Sequence, residues 1–300
     1  MQTTSKILMV RPYRFAFNIE TAQNNYFQQK GNQDLVHQYA LNEFDAMVNV
    51  LRANDVDVIV MQDTAEPWTP DSIFPNNWFS SHISGELVLY PMFAENRRAE
   101  RKSQILNLLR RKMNHPKLID LSYWENDGEF LEGTGSMVFD RDKSIAYACR
   151  SARTSENVLR DFCAKMGYDA VVFDSLDRNN NAIYHTNVMM SVGMQVAVVC
   201  LESIKDEIEK NKLITRLTES GKIIVDITLE QVEHFAGNML EVKSRSRSPI
   251  MVMSSSARES LTDEQERVIS IYNKIVSVDL STIEANGGGS ARCMIAEIFY

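Results

Sequence analysis

Short apolar runs alternate with amphipathic stretches along most of the chain, and their order repeats. Residues 7–10 read as a buried strand. The polar, aromatic-dotted segment 11–30 fits neither the two-residue period of a strand nor the 3.6-residue period of a helix, so a long loop is expected there. Helical spacing of Leu35, Leu41, Phe44, Met47, Val50 and Leu51 predicts a helix over 34–53, and a strand follows at 56–61. From there one order recurs: strand, strand, helix, strand. Strands at 74–80 and 87–92 lead to a basic amphipathic helix over about 96–112 and a strand at 118–121. The next copy is predicted at 136–140, 145–149, about 155–166 and 170–173. A third falls at 188–192, 195–200, about 204–220 and 223–227, and a fourth at 239–242, 250–253, about 262–274 and 276–280.

The copies align at the residue before each first strand, namely Asn77, Gly135, Asn187, Asn238 and Cys293, spaced by 58, 52, 51 and 55 residues. Self-similarity near a fifty-residue period overrules a conventional layered sheet. After Cys293 the chain supplies only one apolar run, and the missing strand, helix and strand are what residues 7–61 provide at the other end. The expectation is therefore an α/β fold, a five-bladed pseudo-symmetric α/β propeller forming a single domain over 1–300, with its fifth unit shared by the two termini. An open α/β protein with over-aligned repeats is the alternative.

Composition narrows the partners. With 300 residues, 44% hydrophobic, the chain can bury a large core. A formal net charge of −8 argues against nucleic acid and anionic membrane. No apolar run reaches the length of a membrane span, and the first residues lack the layout of a secretion signal, so a cytoplasmic protein acting on a small molecule is expected. Cys149, Cys163, Cys200 and Cys293 are far apart with no Cys-x-x-Cys pair, which points to reduced thiols rather than to zinc or a disulfide framework. Gly287–Gly289 lack the Lys-Ser/Thr of a phosphate loop.

In a pseudo-symmetric ring the aligned turns face one axis, so distant residues can meet there. Those turns carry Asn77, Glu132, His185 with Asn187, Asn238 and Cys293: a thiol, an imidazole and a carboxylate from three different units. A cysteine nucleophile needs a partner for its proton, an imidazole can pass that proton to a leaving group, and a carboxylate can orient the imidazole. Singly, Cys293 reads equally as a small core residue, His185 as a hydrogen-bonded core histidine and Glu132 as a local cap. Their joint occurrence at aligned turns favours catalysis.

These residues carry a resemblance to the guanidino-group-modifying enzymes of the pentein fold, which include arginine deiminase, dimethylarginine dimethylaminohydrolase and glycine amidinotransferase. Leu131-Glu-Gly-Thr-Gly135 is similar to the family's Glu-Gly-Gly-Asp turn, His185-Thr-Asn187 to its His-x-Asp, Ser151-Ala-Arg-Thr154 to its Arg-Thr motif and Cys293-Met to its terminal cysteine. The resemblance implies Cys293 as nucleophile, His185 as general acid and base, Glu132 as its carboxylate partner, and Arg153 as a clamp for a substrate carboxylate. It implies no metal or organic cofactor. Where arginine-directed members carry aspartates, this chain has Asn77, Gly135 and Asn187. An uncharged amide suits a neutral ureido group better than a guanidinium. Phe74-Pro-Asn-Asn-Trp-Phe79 and Tyr184-His-Thr-Asn-Val-Met-Met190 resemble the citrulline-utilisation hydrolases, with Phe74, Asn76, Asn77 and Asn187 as expected substrate contacts.

The resemblance thus implies a hydrolase taking citrulline to ornithine through an S-carbamoyl cysteine. Arginine or methylarginine hydrolysis, amidino transfer to a second amine, and a non-catalytic binding module are the alternatives. A homodimer is compatible with this family, and segment 18–28 is open to being either a lid over the site or a polar surface loop.

Overall fold

The computed structural model describes every residue except Asn32, His115 and Tyr300, and the side chains of Gln33 and Asp34 lie outside the description as well. The last residue of the C-terminal run therefore falls outside the described residues, whereas the first helix, expected from Asp34, is Gln33–Ala53. Among the described residues, fifteen strands form five three-stranded sheets of one design. In each sheet the central strand pairs antiparallel with one neighbour and parallel with the other, across a connection that includes helix. Phe79–Ser81, Glu86–Leu89 and Lys117–Asp120 make one sheet. Val138–Asp140, Ile145–Cys149 and Asp169–Phe173 make the second, and Met190–Val192, Val196–Val199 and Ile223–Asp226 the third. Leu240–Lys243, Pro249–Ser254 and Lys274–Val278 make the fourth. The fifth joins the two ends of the chain: Lys6–Arg11 pairs parallel with Asp57–Gln62 and antiparallel with Ala296–Glu297.

Local chemistry sets the element ends. Helix Glu156–Met166 begins where Ser155 accepts the Asn157 N–H and ends at Gly167, whose φ of 70° a side chain would strain. Helix Asp263–Tyr272 starts on a reciprocal capping box between Thr262 and Gln265.

Three expectations need correction. The strands predicted from 74, 136 and 188 begin later, because each is preceded by a short buried helical turn, Pro75–Asn77, Gly133–Ser136 and Thr186–Met189. The basic helix predicted over 96–112 is two helices, Glu95–Arg98 and Ser103–Lys112. The break falls where Arg101 bonds Glu125 at 2.7 Å and Lys102 bonds Asp63 at 2.5 Å, which fixes Lys102 in an extended conformation. The apolar run expected after Cys293 pairs as a strand only at Ala296–Glu297, and the helix Ser281–Gly287 precedes it.

Neighbouring sheets are tied by single bonds at these turns. Thr134 Oγ1 donates to the Asn76 carbonyl at 3.2 Å and Thr186 Oγ1 to the Ser136 carbonyl at 2.6 Å. Asn238 Nδ2 donates to the Asn187 carbonyl at 2.8 Å, and the Arg292 N–H to Asn238 Oδ1 at 3.1 Å. Ser81 Oγ donates to the Glu297 carbonyl at 2.7 Å.

Candidate active site

Cys293 sits in the turn that precedes the C-terminal strand, with its N–H on the Ser290 carbonyl at 3.0 Å. Helix Ser281–Gly287 stops at Gly288, whose φ is +62°. A Cβ on Gly287 would come within 2.7 Å of the Phe74 ring, so glycine is what lets that ring lie against the turn. The Cys293 sulfur is buried and receives two amide donors, Asn238 Nδ2 at 3.3 Å and Asn187 Nδ2 at 3.5 Å. Both come from turns aligned with that of Cys293 in the repeat, and together they suit a sulfur that carries negative charge.

His185 precedes the buried turn Thr186–Met189, and its Nε2 lies 2.8 Å from Glu132 Oε2. Glu132 is wholly buried, and its other oxygen accepts the Phe93 N–H at 3.0 Å. Burial alone would raise this carboxyl, but Arg153 at 3.5 Å, the His185 hydrogen bond and Arg97 at 4.0 Å overcome it and hold the group ionised. Burial acts the other way on His185 and lowers its pKa to about 4 despite the carboxylate. The resting pair is thus a neutral imidazole on a carboxylate. Because the carboxylate can only accept, the proton resides on Nε2, and Nδ1 keeps a lone pair on the side of Gly135, where a Cβ would meet it at 2.7 Å.

A small cavity collects these groups. Its wall includes Cys293, His185, Arg153, Asn77, Phe74 and Tyr184. Glu132 and Asn187 act one bond behind it, through His185 and Cys293. Asn76, expected among the substrate contacts, is not on the wall, although its buried side chain has no hydrogen-bond partner among the described residues. Arg153 is on the wall, but its fork is engaged. It donates to Asn24 Oδ1 at 2.8 Å and to the Thr21 carbonyl at 2.8 Å, and it stacks over Tyr184 at 4.9 Å. Segment 18–28 thereby reaches the site. Asn25 and Gln28 also bond the carbonyls of Gly287 and Gly288 or Asn286 at 3.1–3.4 Å.

Two wall residues were missed from sequence. Arg97 looked like one charge among many on an outward helix, yet it is buried, paired with Glu100 at 2.8 Å. Its Nη1 donates to Asn77 Oδ1 at 2.7 Å and its Nη2 to the Phe74 carbonyl at 3.0 Å. Asp71 is buried 3.9 Å from Arg97, with Oδ2 accepting from Asn18 at 2.7 Å and Oδ1 without a hydrogen-bond partner among the described residues. Nothing in the local sequence distinguishes either from a solvated charge.

Five like sheets and a thiol, imidazole and carboxylate brought together at their turns define the pentein class of guanidino-modifying enzymes. The chain belongs to the family described as N,N dimethylarginine dimethylhydrolase, eukaryotic, whose model matches residues 11–300, and it is a hydrolase acting on C–N bonds other than peptide bonds. Solved structures share the fold. The N-terminal domain of ArgZ, a cyanobacterial arginine dihydrolase bound to substrate, superposes with a TM-score of 0.76 at 16% identity over 98% of both chains. AgrE in binary complex with L-arginine gives 0.76 at 15% identity, over 97% of this chain and 40% of that one. A dimethylarginine dimethylaminohydrolase adduct with 4-chloro-2-hydroxymethylpyridine gives 0.68 at 17% identity, over 99% and 100%. No curated protein matches the sequence. Among the described residues no helix is long and apolar enough to cross a membrane.

Proposed function

We propose that the chain hydrolyses the terminal C–N bond of an arginine-type amino acid, using Cys293 as nucleophile, His185 as proton carrier and Glu132 as its positioning carboxylate. One observation carries this reading: the thiol and the neutral imidazole share a cavity, and the imidazole is held from behind by a buried carboxylate that Arg153 keeps charged. In the first step the sulfur adds to the central carbon of the guanidino or ureido group. The leaving amine departs with the proton that His185 took from the thiol. A water deprotonated by His185 then breaks the C–S bond and restores the thiol. The bonds that link each sheet to the next, and the Ser81–Glu297 bond that links the terminal sheet onward, support a closed five-bladed ring and one domain over 1–300.

The family and the fold relatives support arginine or a methylated arginine as substrate ahead of the citrulline expected from sequence. Citrulline keeps one specific observation on its side. Arg97 can only donate, so it fixes Asn77, a wall residue, with Oδ1 toward the guanidinium and leaves Nδ2 as a buried donor without a partner among the described residues. A guanidinium is donor-only and gives that N–H nothing to bond, whereas a ureido oxygen does. The test is a panel of arginine, methylated arginines, citrulline and agmatine, read for ammonia, methylamines, citrulline and ornithine. Turnover of a guanidino substrate that vanishes in Cys293→Ala is the expected result, and a fully active, folded Cys293→Ala would overturn the assignment. Turnover of citrulline alone would establish the second reading. In that case Asn77→Asp is expected to move the kcat/KM ratio toward guanidinium substrates by about tenfold or more.

A further inference from the structure

Asn238 stands in the turn before strand Leu240–Lys243, wholly buried, and reaches the Cys293 sulfur from outside the catalytic cavity, on whose wall it has no place. The turn that carries it is tightly seated. Phe235 adopts a left-handed φ of 60°, and a Cβ on Gly237 would come within 2.3 Å of the Val188 carbonyl, so glycine is what lets this turn lie on the buried turn Thr186–Met189.

The Asn238 amide is fixed at both ends. Its Oδ1 accepts the Arg292 N–H at 3.1 Å, a group that can only donate, and its Nδ2 donates to the Asn187 carbonyl at 2.8 Å, a group that can only accept. That leaves the second N–H of Nδ2 for the sulfur, 3.3 Å away. Asn187 is tied less firmly. Its Nδ2 lies 3.5 Å from the same sulfur, but its Oδ1 has no hydrogen-bond partner among the described residues to hold the amide that way round.

Burial pushes the other thiols up, Cys149 and Cys200 to about 12 and Cys163 to about 11. Cys293 is buried too, yet its sulfur accepts twice, and among the described residues no hydrogen bond has its S–H as donor. The titratable groups around it are neutral or engaged elsewhere. His185 is uncharged, with its pKa lowered to about 4 by burial, and burial also keeps the Tyr184 phenol protonated. Arg292 places Nη2 on Glu297 at 3.0 Å. On the cavity wall Arg97 and Asp71 lie 3.9 Å apart, and Arg153 lies 3.5 Å from Glu132.

We propose that Asn238 holds the nucleophile as a thiolate: its fixed N–H favours S⁻ over S–H, and so sets how much of Cys293 is reactive at neutral pH. The proposal deepens the reading of Cys293 as nucleophile given above and rests on it for its catalytic meaning. The effect of the amide on the thiol needs no substrate.

The test therefore begins without one. Iodoacetamide, a neutral reagent that alkylates thiolates, is applied to the full chain at about pH 7 and about pH 9.5, and the rate at each cysteine is read by peptide mass. Dividing the rate at the lower pH by that at the higher removes differences in access. For Cys293 this quotient is expected to fall about tenfold or more in Asn238→Leu, which has similar size and no donor, and in Asn238→Asp, which keeps an acceptor for the Arg292 N–H. An unchanged quotient in either folded variant overturns the proposal, whatever happens to Tm. Should neither variant fold, the parent decides: its Cys293 quotient must exceed that of the half-buried Cys163 by about tenfold or more, and equality overturns the proposal. Where a substrate is turned over, Asn238→Leu should lower kcat at neutral pH, leave KM within about twofold and regain kcat as the pH rises. A raised KM with kcat unchanged would make Asn238 a substrate-binding residue instead. Failure of the amino-acid panel would leave the alkylation result intact.

Discussion

At the scale of single residues, the polar atoms around Cys293 are explained by which partner each can accept. His185 is the clearest case. Its imidazole is neutral in the fold, with a pKa pushed down to about 4 by burial, against about 6.5 in the unfolded chain. As pH falls through 6.5 the unfolded state takes up a proton that the folded state refuses, so stability is lost between roughly pH 6.5 and 4. Glu132, held ionised by Arg153 and His185, adds to the loss at still lower pH. The His185 contribution amounts to roughly 3 kcal/mol across that window. His185→Gln is expected to flatten the urea midpoint against pH by about one proton between pH 6.5 and 4. An unchanged slope would mean that the imidazole is already charged in the fold. Arg97 makes a second case. Arg97→Met strands the buried Glu100 and should cost about 3–5 kcal/mol. Adding Glu100→Gln should recover part of that stability, Asp71 still lacking its cation, without recovering activity, since Asn77 is still released. Recovery of activity in the double variant would reduce Arg97 to a structural partner.

At the scale of elements, the repeat was legible because it is written in hydrophobic period, and every predicted strand of the four complete copies has a counterpart within a few residues. What escaped were features set by tertiary contact. The buried turns before the first strands of three units are helical in backbone over only three or four residues, and periodicity on that length cannot separate helix from strand. The site shows the same division. Cys293, His185 and Glu132 stood out as chemistry at aligned positions, whereas Arg97 and Asp71 differ from surface charges only in what folds over them. Segment 18–28 was open to two readings, and its hydrogen bonds to Arg153 and to the carbonyls after helix Ser281–Gly287 place it against the site. Asn25→Ala removes two of those bonds from a segment with few apolar anchors. It is expected to raise KM about tenfold while shifting Tm by no more than about 2 °C. A change confined to Tm would mark the segment as scaffold rather than cover.

At the scale of the whole molecule, Cys293 leads into the sheet that the two termini build together. Lys6–Arg11 lies between a strand from its own end and one from the other end, and Met1 and Phe299 border the same surface cleft. Thr4 Oγ1 also donates to the Ile298 carbonyl at 2.8 Å, so the termini are held close and the break in the chain falls inside a unit rather than between units. If five equivalent units form the ring, the position of that break is arbitrary. A circular permutant joins residues 1 and 300 by a short Gly-Ser linker and opens the exposed loop between Asn179 and Asn180, far in sequence from Cys293 and between strands of different sheets. It should fold, because loops of this kind tolerate new termini and close termini tolerate linkage. Its Tm is expected within about 5 °C of the parent, with the Cys293-dependent turnover retained. Loss of the fold in this permutant, with the linker long enough to span the cleft, would show that the terminal sheet must assemble from free ends, contrary to five interchangeable units around one axis.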